Sequence, residues 1–255
     1  MIPISITIIT HNREKYIAEA IESVLDQSFK DWELIIIDDA STDNTAEVVA
    51  KYLVQDHRIK FHSENVNLGI TKARNLALQL TQGKYVAVLD SDDVWIDSDK
   101  LQKQYHFLEN NSDYILVGGA VIVINEHGQE IRRYKNPSKD EDIRARILLR
   151  NPFLHSSILF RREVAVECGL YKNYSVGEDY DLFLKMGQVG KFANLEDYLV
   201  KYRKHDSGIT WSKRVSAAKD HLVIIKKFKK NYPNFFSALI KGYVRVFLAF
   251  FVSIM

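Results

Sequence analysis

Ile4 to Ile9 is a short run dominated by β-branched residues, the pattern of a strand buried on both faces. Ile17, Ala20, Ile21, Val24 and Leu25 then recur at three- and four-residue steps and predict one helical stripe. The alternation repeats. Leu34 to Ile37 reads as a strand followed by a helix face of Ala46, Val49, Ala50 and Leu53. Ile59 to His62 reads as another, followed by Ala73, Leu76, Ala77 and Leu80, and Tyr85 to Leu89 is the next strand. Strands alternating with helices predict right-handed crossovers and a parallel sheet, and such sheets bind ligands at the carboxyl ends of their strands.

Polar clusters stand at those ends. The first strand closes in Thr10-His11-Asn12-Arg13, the second in Asp38-Asp39 and the fourth in Asp90-Ser91-Asp92-Asp93. In a parallel sheet all three open on one edge. Three carboxylates around a single serine suit a turn with a helix cap. They equally suit a hard divalent cation, which makes like charges at this spacing tolerable. Beyond Trp95 the rhythm changes: Leu101, Tyr105 and Leu108 predict a helix, AVIVINEHGQEIRR a hairpin turning at Asn125 to Gly128, and HSSILF at 155–160 a further strand.

Composition narrows the partners. With 255 residues, 46% of them hydrophobic, the chain can bury a full core, and 35 basic against 33 acidic residues give a net charge of +2, which argues against nucleic acid as a partner. The lone Cys168 cannot form an intrachain disulfide, and MIPISITIIT lacks the basic stretch and long apolar core of a signal peptide, so the expected compartment is the cytoplasm. The longest apolar run, Val246 to Met255, is about half the roughly 20 residues of a membrane span.

Five segments in order carry a family resemblance: SITIITHNREKYIAEAIESVLDQSF, WELIIIDDASTDNT, NLGITKARN, GKYVAVLDSDDVW and GEDYDLFLKMG. Together they resemble the family 2 glycosyltransferases, over roughly residues 4 to 205. The resemblance implies an α/β protein of GT-A, Rossmann-like fold: a central, mainly parallel sheet flanked by helices, a smaller mixed acceptor-side part and a C-terminal helical tail. The expected division is a glycosyltransferase domain over 1–212, with a nucleotide-binding half (1–95) and an acceptor-binding half (96–212), followed by a basic amphipathic tail over 213–255.

The resemblance also implies roles. Asp90 and Asp92 match the family's DXD pair, Asp90 on the ribose side and Asp92 on a Mn²⁺ or Mg²⁺ ion; Asp93 either shares that metal or caps the following turn. Such an ion would neutralise the diphosphate of a departing nucleotide. Asp39 matches the aspartate that accepts a hydrogen bond from a uracil or thymine ring, Thr10 and His11 line the base, and Arg74 lies near base and diphosphate. The family more often carries a tyrosine where this chain has His11. Asp38 is expected to be structural, accepting from backbone donors at the strand end.

Asp179 in GEDYDL matches the catalytic base, because a sugar hydroxyl needs a carboxylate to take its proton. Glu178 is expected to position it or bind an acceptor hydroxyl, and Asp181 to cap the following helix. His205 in YRKHDSG matches a histidine that reaches the metal or diphosphate. The implied activity is inverting transfer of a sugar from a UDP- or dTDP-sugar to a glycan or lipid-linked glycan acceptor, in bacterial cell-surface polysaccharide assembly. The chain lacks the Gln-x-x-Arg-Trp motif of processive synthases. A sugar-1-phosphate nucleotidyltransferase would need a glycine-rich loop where THNREK has none. An inactive nucleotide- or sugar-binding module is the rival outside catalysis.

The tail adds one more candidate surface. Phe235, Leu239, Tyr243, Phe247 and Phe251 mark an apolar helical face preceded by KKFKK. Residues 226–255 therefore suit peripheral contact with anionic lipid on the cytoplasmic face of the inner membrane, and equally packing on the catalytic part or a homo-oligomer contact.

Overall fold

The isoleucine-rich runs form the centre of the molecule. In the computed structural model, which describes residues 2–205 and 213–254, strands β1 (Ile4–Thr10), β2 (Trp32–Asp38), β3 (Ile59–Ser63) and β4 (Tyr85–Val88) lie parallel in the order β3-β2-β1-β4. Helices α1 (Ile17–Leu25), α2 (Thr45–Leu53) and α3 (Ile70–Leu80) make the crossovers. The unbroken apolar pattern has a direct cause: Leu34 and Ile36 join the cluster under α1, while Ile35 and Ile37 pack against Ala73 and Ala77 of α3. Both faces of β2 are covered. Burying each such isoleucine contributes roughly 2 kcal/mol.

The second half extends the same sheet. Its elements are β5 (Val94–Trp95), α4 (Lys100–Asn110), β6 (Tyr114–Ile124), β7 (Glu130–Tyr134), α5 (Asp140–Arg146), β8 (Leu159–Arg161), α6 (Arg162–Glu167), α7 (Glu178–Met186) and β9 (Lys191–Arg203). From β4 the order continues β8-β6-β9-β5, with β7 paired to β6. β8 runs antiparallel to both its neighbours, β6 and β9 are parallel, and β5 is antiparallel to β9. Parallel and mixed halves thus share one sheet.

The predicted hairpin turns where expected. Asn125 Oδ1 accepts the His127 and Gln129 amides at 3.0 and 2.9 Å, and Gly128 takes φ 80°, a left-handed conformation that glycine adopts without strain. The strand expected at 155–160 is shorter than its apolar pattern suggests. His155–Ser157 winds into a 3₁₀ turn and pairing begins only at Leu159. Its serines explain this: Ser157 Oγ donates to the Leu154 carbonyl at 2.8 Å, and Ser156 Oγ is drawn to Asp93.

Two helices follow, α8 (Arg214–Lys227) and α9 (Phe235–Ile254). Ile224 and Ile225 of α8 are fully buried in the second core cluster, together with Leu182 and Phe183 of α7. Among the described residues, no helix is long and apolar enough to cross a membrane. The expected boundary at 212 falls within residues 206–212, outside the described residues.

Candidate active site

The parallel strands deliver their polar ends to one edge. Thr10 pairs in register with Asp38, and the chain turns sharply after each strand through Asn12 (φ 53°) and Ala40 (φ 60°). Asn12 Oδ1 accepts the Thr42 amide at 2.8 Å and its own amide donates to Ser41 Oγ at 2.9 Å, so the two loops hold each other. Asp38 Oδ1 accepts the Ser41 amide at 3.1 Å, the structural role expected of it. His11 Nδ1 lies 2.8 Å from the Asp39 carbonyl. Asp39 itself is buried, its carboxylate accepting the Leu68 and Gly69 amides at 2.5 and 3.0 Å where α3 begins. The Thr10 hydroxyl is buried without a hydrogen-bond partner, an orphan that a ligand's polar group would satisfy. Thr10, His11 and Asp39 therefore meet in one cradle.

The three aspartates of the DSDD loop diverge. Asp90 faces Arg74, with Nη2 2.9 Å from Oδ1. Burial raises the Asp90 pKa, but Arg74 and then His155 outweigh it and hold the carboxyl well below the usual carboxylate range. Asp93 turns the other way and is fully buried: Ser156 Oγ donates to Oδ2 at 2.5 Å and the Arg203 amide to Oδ1 at 2.9 Å. Burial, then repulsion from Asp92 and Asp90, push its pKa well above the ordinary value. Both of its carboxylate oxygens are thus engaged by protein donors. It anchors the loop from below.

Asp92 remains at the surface of the loop, where Oδ2 meets Arg13 Nε at 3.3 Å and His205 Nε2 at 2.8 Å. Asp92 and His205 come from positions 113 residues apart. A cavity of 380 Å³ opens beside them, lined among others by Arg13, Lys15, Tyr16, Glu126 and His205, a volume that admits a small-molecule ligand. Among the described residues no three His, Cys, Asp or Glu side chains gather into a metal cage. Asp92 and His205 form an open pair of one carboxylate and one imidazole. That count fits Mg²⁺ or Mn²⁺, which take one or two protein ligands and complete their shell with substrate phosphates and water.

Arg74 connects this loop to the second half. It is nearly buried, and its Nη1 donates to Glu178 Oε1 while Nη2 holds Asp90. Burial works against its charge, but Glu178 and Asp90 outweigh it and hold the guanidinium above its ordinary pKa. Gly177, at φ 101°, makes the left-handed turn into α7 that places Glu178 and Asp179 at its start. Asp179 is partly buried, with Oδ1 accepting the Tyr180 amide at 2.7 Å. Burial, then the charge of Glu178, raise its pKa above the ordinary aspartate value. A carboxylate so perturbed can accept a proton.

Asp181 does not cap α7. It is fully buried, with Lys227 Nζ of α8 2.6 Å and Lys185 Nζ 3.1 Å from its two oxygens. The apolar core encloses it, and two lysines neutralise it.

Two further residues at the site lie outside the set that the sequence singles out. His155 is buried, Nε2 2.9 Å from the Tyr171 hydroxyl and Nδ1 3.9 Å from Asp90 Oδ1. Arg203 fastens the DSDD loop to its surroundings: Nε donates to the Asp92 carbonyl at 2.9 Å and Nη2 meets Glu19 Oε2 at 2.5 Å. These roles depend on strands brought together from distant segments. Only the HSS run, polar within an apolar strand pattern, offered a local signal.

Known proteins share this framework. The sequence model described as Glycosyl transferase family 2 matches residues 5–169. The amylovoran biosynthesis glycosyltransferase AmsE of Erwinia amylovora is 30% identical over 78% of this chain and 75% of its own length. The O-antigen biosynthesis glycosyltransferase WbnJ of Escherichia coli is 30% identical over 80% of each. Among solved structures, Staphylococcus aureus TarS 1–349 in complex with UDP-GlcNAc superposes with a TM-score of 0.73 at 21% identity, covering 96% of this chain and 72% of that one. The mannosyltransferase PcManGT of Pyrobaculum calidifontis, in complex with GDP-Man and Mn²⁺, gives 0.70 at 16% identity over 96% and 74%. These neighbours are GT-A glycosyltransferases, which fixes the fold class. The family model over residues 5–169 and the relatives at 30% identity establish that the chain belongs to the family 2 glycosyltransferases.

Proposed function

We propose that this glycosyltransferase moves a sugar from a UDP- or dTDP-sugar to a glycan or lipid-linked glycan acceptor, with a divalent cation and with inversion at the anomeric carbon, in bacterial surface-polysaccharide assembly. The observation that carries the reading is the bridge Asp90–Arg74–Glu178, which couples the loop expected to face the diphosphate to the residue beside Asp179. The relatives in amylovoran and O-antigen biosynthesis support the process, and the UDP-GlcNAc complex of TarS supports the uridine donor.

In this reading Thr10, His11 and Asp39 hold the nucleoside. Asp39 keeps acceptor capacity beyond its two backbone contacts, since a carboxylate offers about four lone-pair directions. Asp92 and His205 would hold Mn²⁺ or Mg²⁺, which when bound supplies Lewis-acid neutralisation of the diphosphate. Arg74 holds Asp90 ionised beside it and orients Glu178. Asp179 takes the proton of the acceptor hydroxyl as the oxygen attacks opposite the leaving group, so an α-linked donor gives a β-linked product. Asp93, its oxygens engaged by Ser156 and Arg203, serves as a positioning residue for the loop rather than as a ligand.

Asp179→Asn tests the reading and its non-catalytic rival together. The variant is expected to bind donor nucleotide as the native chain does and to lose transfer by about 100-fold or more. Transfer at the native rate would remove Asp179 from the role of base. Donor binding with no transfer by the native chain, over a broad acceptor screen, would favour the binding module.

A further inference from the structure

We infer that the α8–α9 hairpin is a docking surface for an anionic lipid bilayer. α9 leaves most of its apolar side away from the protein. Its small residues face inward: Ala238 and Gly242 are buried, and a Cβ added at Gly242 would lie 2.5 Å from Leu222 Cδ2 of α8. Phe235 and Leu239 are partly buried at its start, but most of the large residues beyond them face outward. Phe236 is 77% exposed, Ile240 67%, Phe247 60% and Phe251 55%. The helix makes its closest protein contact through glycine and alanine and leaves an aromatic side uncovered from Phe236 to Phe251, along about 23 Å.

Charge selects the occupant. Residues 213–255 carry nine lysines and arginines against the single acidic Asp220, and Asp220 is turned inward, its carboxylate accepting the Ser175 amide at 2.7 Å. Lysines border the apolar ridge directly. Lys226 Nζ lies 3.1 Å from the Tyr243 hydroxyl, and Lys219 Nζ lies 5.1 Å from the Phe250 ring centre. Exposed Val223 stands between those two lysines on the same stripe of α8 and continues the ridge. A second copy of this face would bring like charges together, which opposes self-association. Acyl chains accept the aromatic ridge while anionic head groups accept its basic border, the arrangement of a helix lying in the interface plane.

The hairpin also touches the proposed catalytic helix. Lys227 is paired with Asp181, and His221 stacks on Tyr180 with ring centres 5.2 Å apart. Docking would therefore set the start of α7, with Asp179, at a fixed orientation to the bilayer. The inference itself rests on the exposed face and its charge, and stands whether or not Asp179 is the base.

The test is flotation of the full chain with vesicles of phosphatidylglycerol and phosphatidylethanolamine, against vesicles of phosphatidylcholine alone. Binding to the anionic vesicles that weakens with added salt is expected. The paired changes Phe247→Ser with Leu248→Ser, and separately Lys219→Glu with Lys226→Glu, are each expected to weaken it about tenfold or more while far-UV circular dichroism stays native. Equal binding to both vesicle types, native binding by either folded variant, or no binding at all would overturn the inference. A dimer in sedimentation equilibrium that the Phe247 and Leu248 changes dissociate would also overturn it, because a second copy would then cover the face.

Discussion

Arg74 and Glu178 stand 104 residues apart and meet in a buried ion pair, Nη1 to Oε1, while Nη2 of the same guanidinium holds Asp90 at 2.9 Å. One planar fork thus joins the two halves of the molecule. Lysine cannot reproduce this, because a point charge reaches one carboxylate well and the other poorly.

Arg74→Ala is expected to cost about 3 kcal/mol or more of stability, since it leaves Glu178 buried without its cation. Arg74→Lys should recover part of that and little of the activity. Urea unfolding of both variants measures the difference, and a loss below about 1 kcal/mol for the alanine variant would show the pair to be solvated in solution.

Asp179 should set the acid limb of activity. Burial and Glu178 raise its pKa, so the carboxyl stays protonated, and unable to accept a proton, to a higher pH than an ordinary aspartate near about 4. The kcat–pH profile is therefore expected to fall on the acid side with a midpoint above that value. Glu178→Gln removes the adjacent negative charge and should move the midpoint down. A midpoint unmoved by that change would place the limiting proton elsewhere.

His221 should make the tail sensitive to acid. It stacks on Tyr180, and burial, then Arg245 and Lys241, lower its pKa from 6.5 to about 4. The folded chain resists a proton that the unfolded chain takes up near 6.5. Stability is therefore full above about pH 6.5 and declines as pH falls toward 4, by up to about 3 kcal/mol. His221→Phe keeps the stacking and should flatten that window in thermal melts at stepped pH. An unchanged slope would locate the sensitivity in other groups.

Much of this architecture was legible from the sequence because its determinants are local. β-Branched runs and helical stripes fix β1 to β4 with α1 to α3, and a parallel order puts Thr10, Asp39 and Asp90 on one edge without further information. What escaped depends on distant segments. The DSDD run itself does not say which partners its aspartates meet: Arg74 claims Asp90, Ser156 and the Arg203 amide claim Asp93, and Asp92 meets His205. The tail stayed open between two readings for another reason. Its apolar stripe is real, but periodicity cannot say which side of a helix meets the protein when one side carries alanine and glycine and the other phenylalanine.

The most direct test of the central claim, that the DSDD loop binds a nucleotide diphosphate through Asp92 and a divalent cation, is calorimetric titration of UDP and dTDP with Mn²⁺ and then with EDTA. The native chain is expected to bind one of them with Mn²⁺ and to lose that binding with EDTA, and Asp92→Ala to bind neither tightly. Metal-independent binding, or native binding by Asp92→Ala, would contradict the account and return Asp92 to a structural partner of Arg13 and His205.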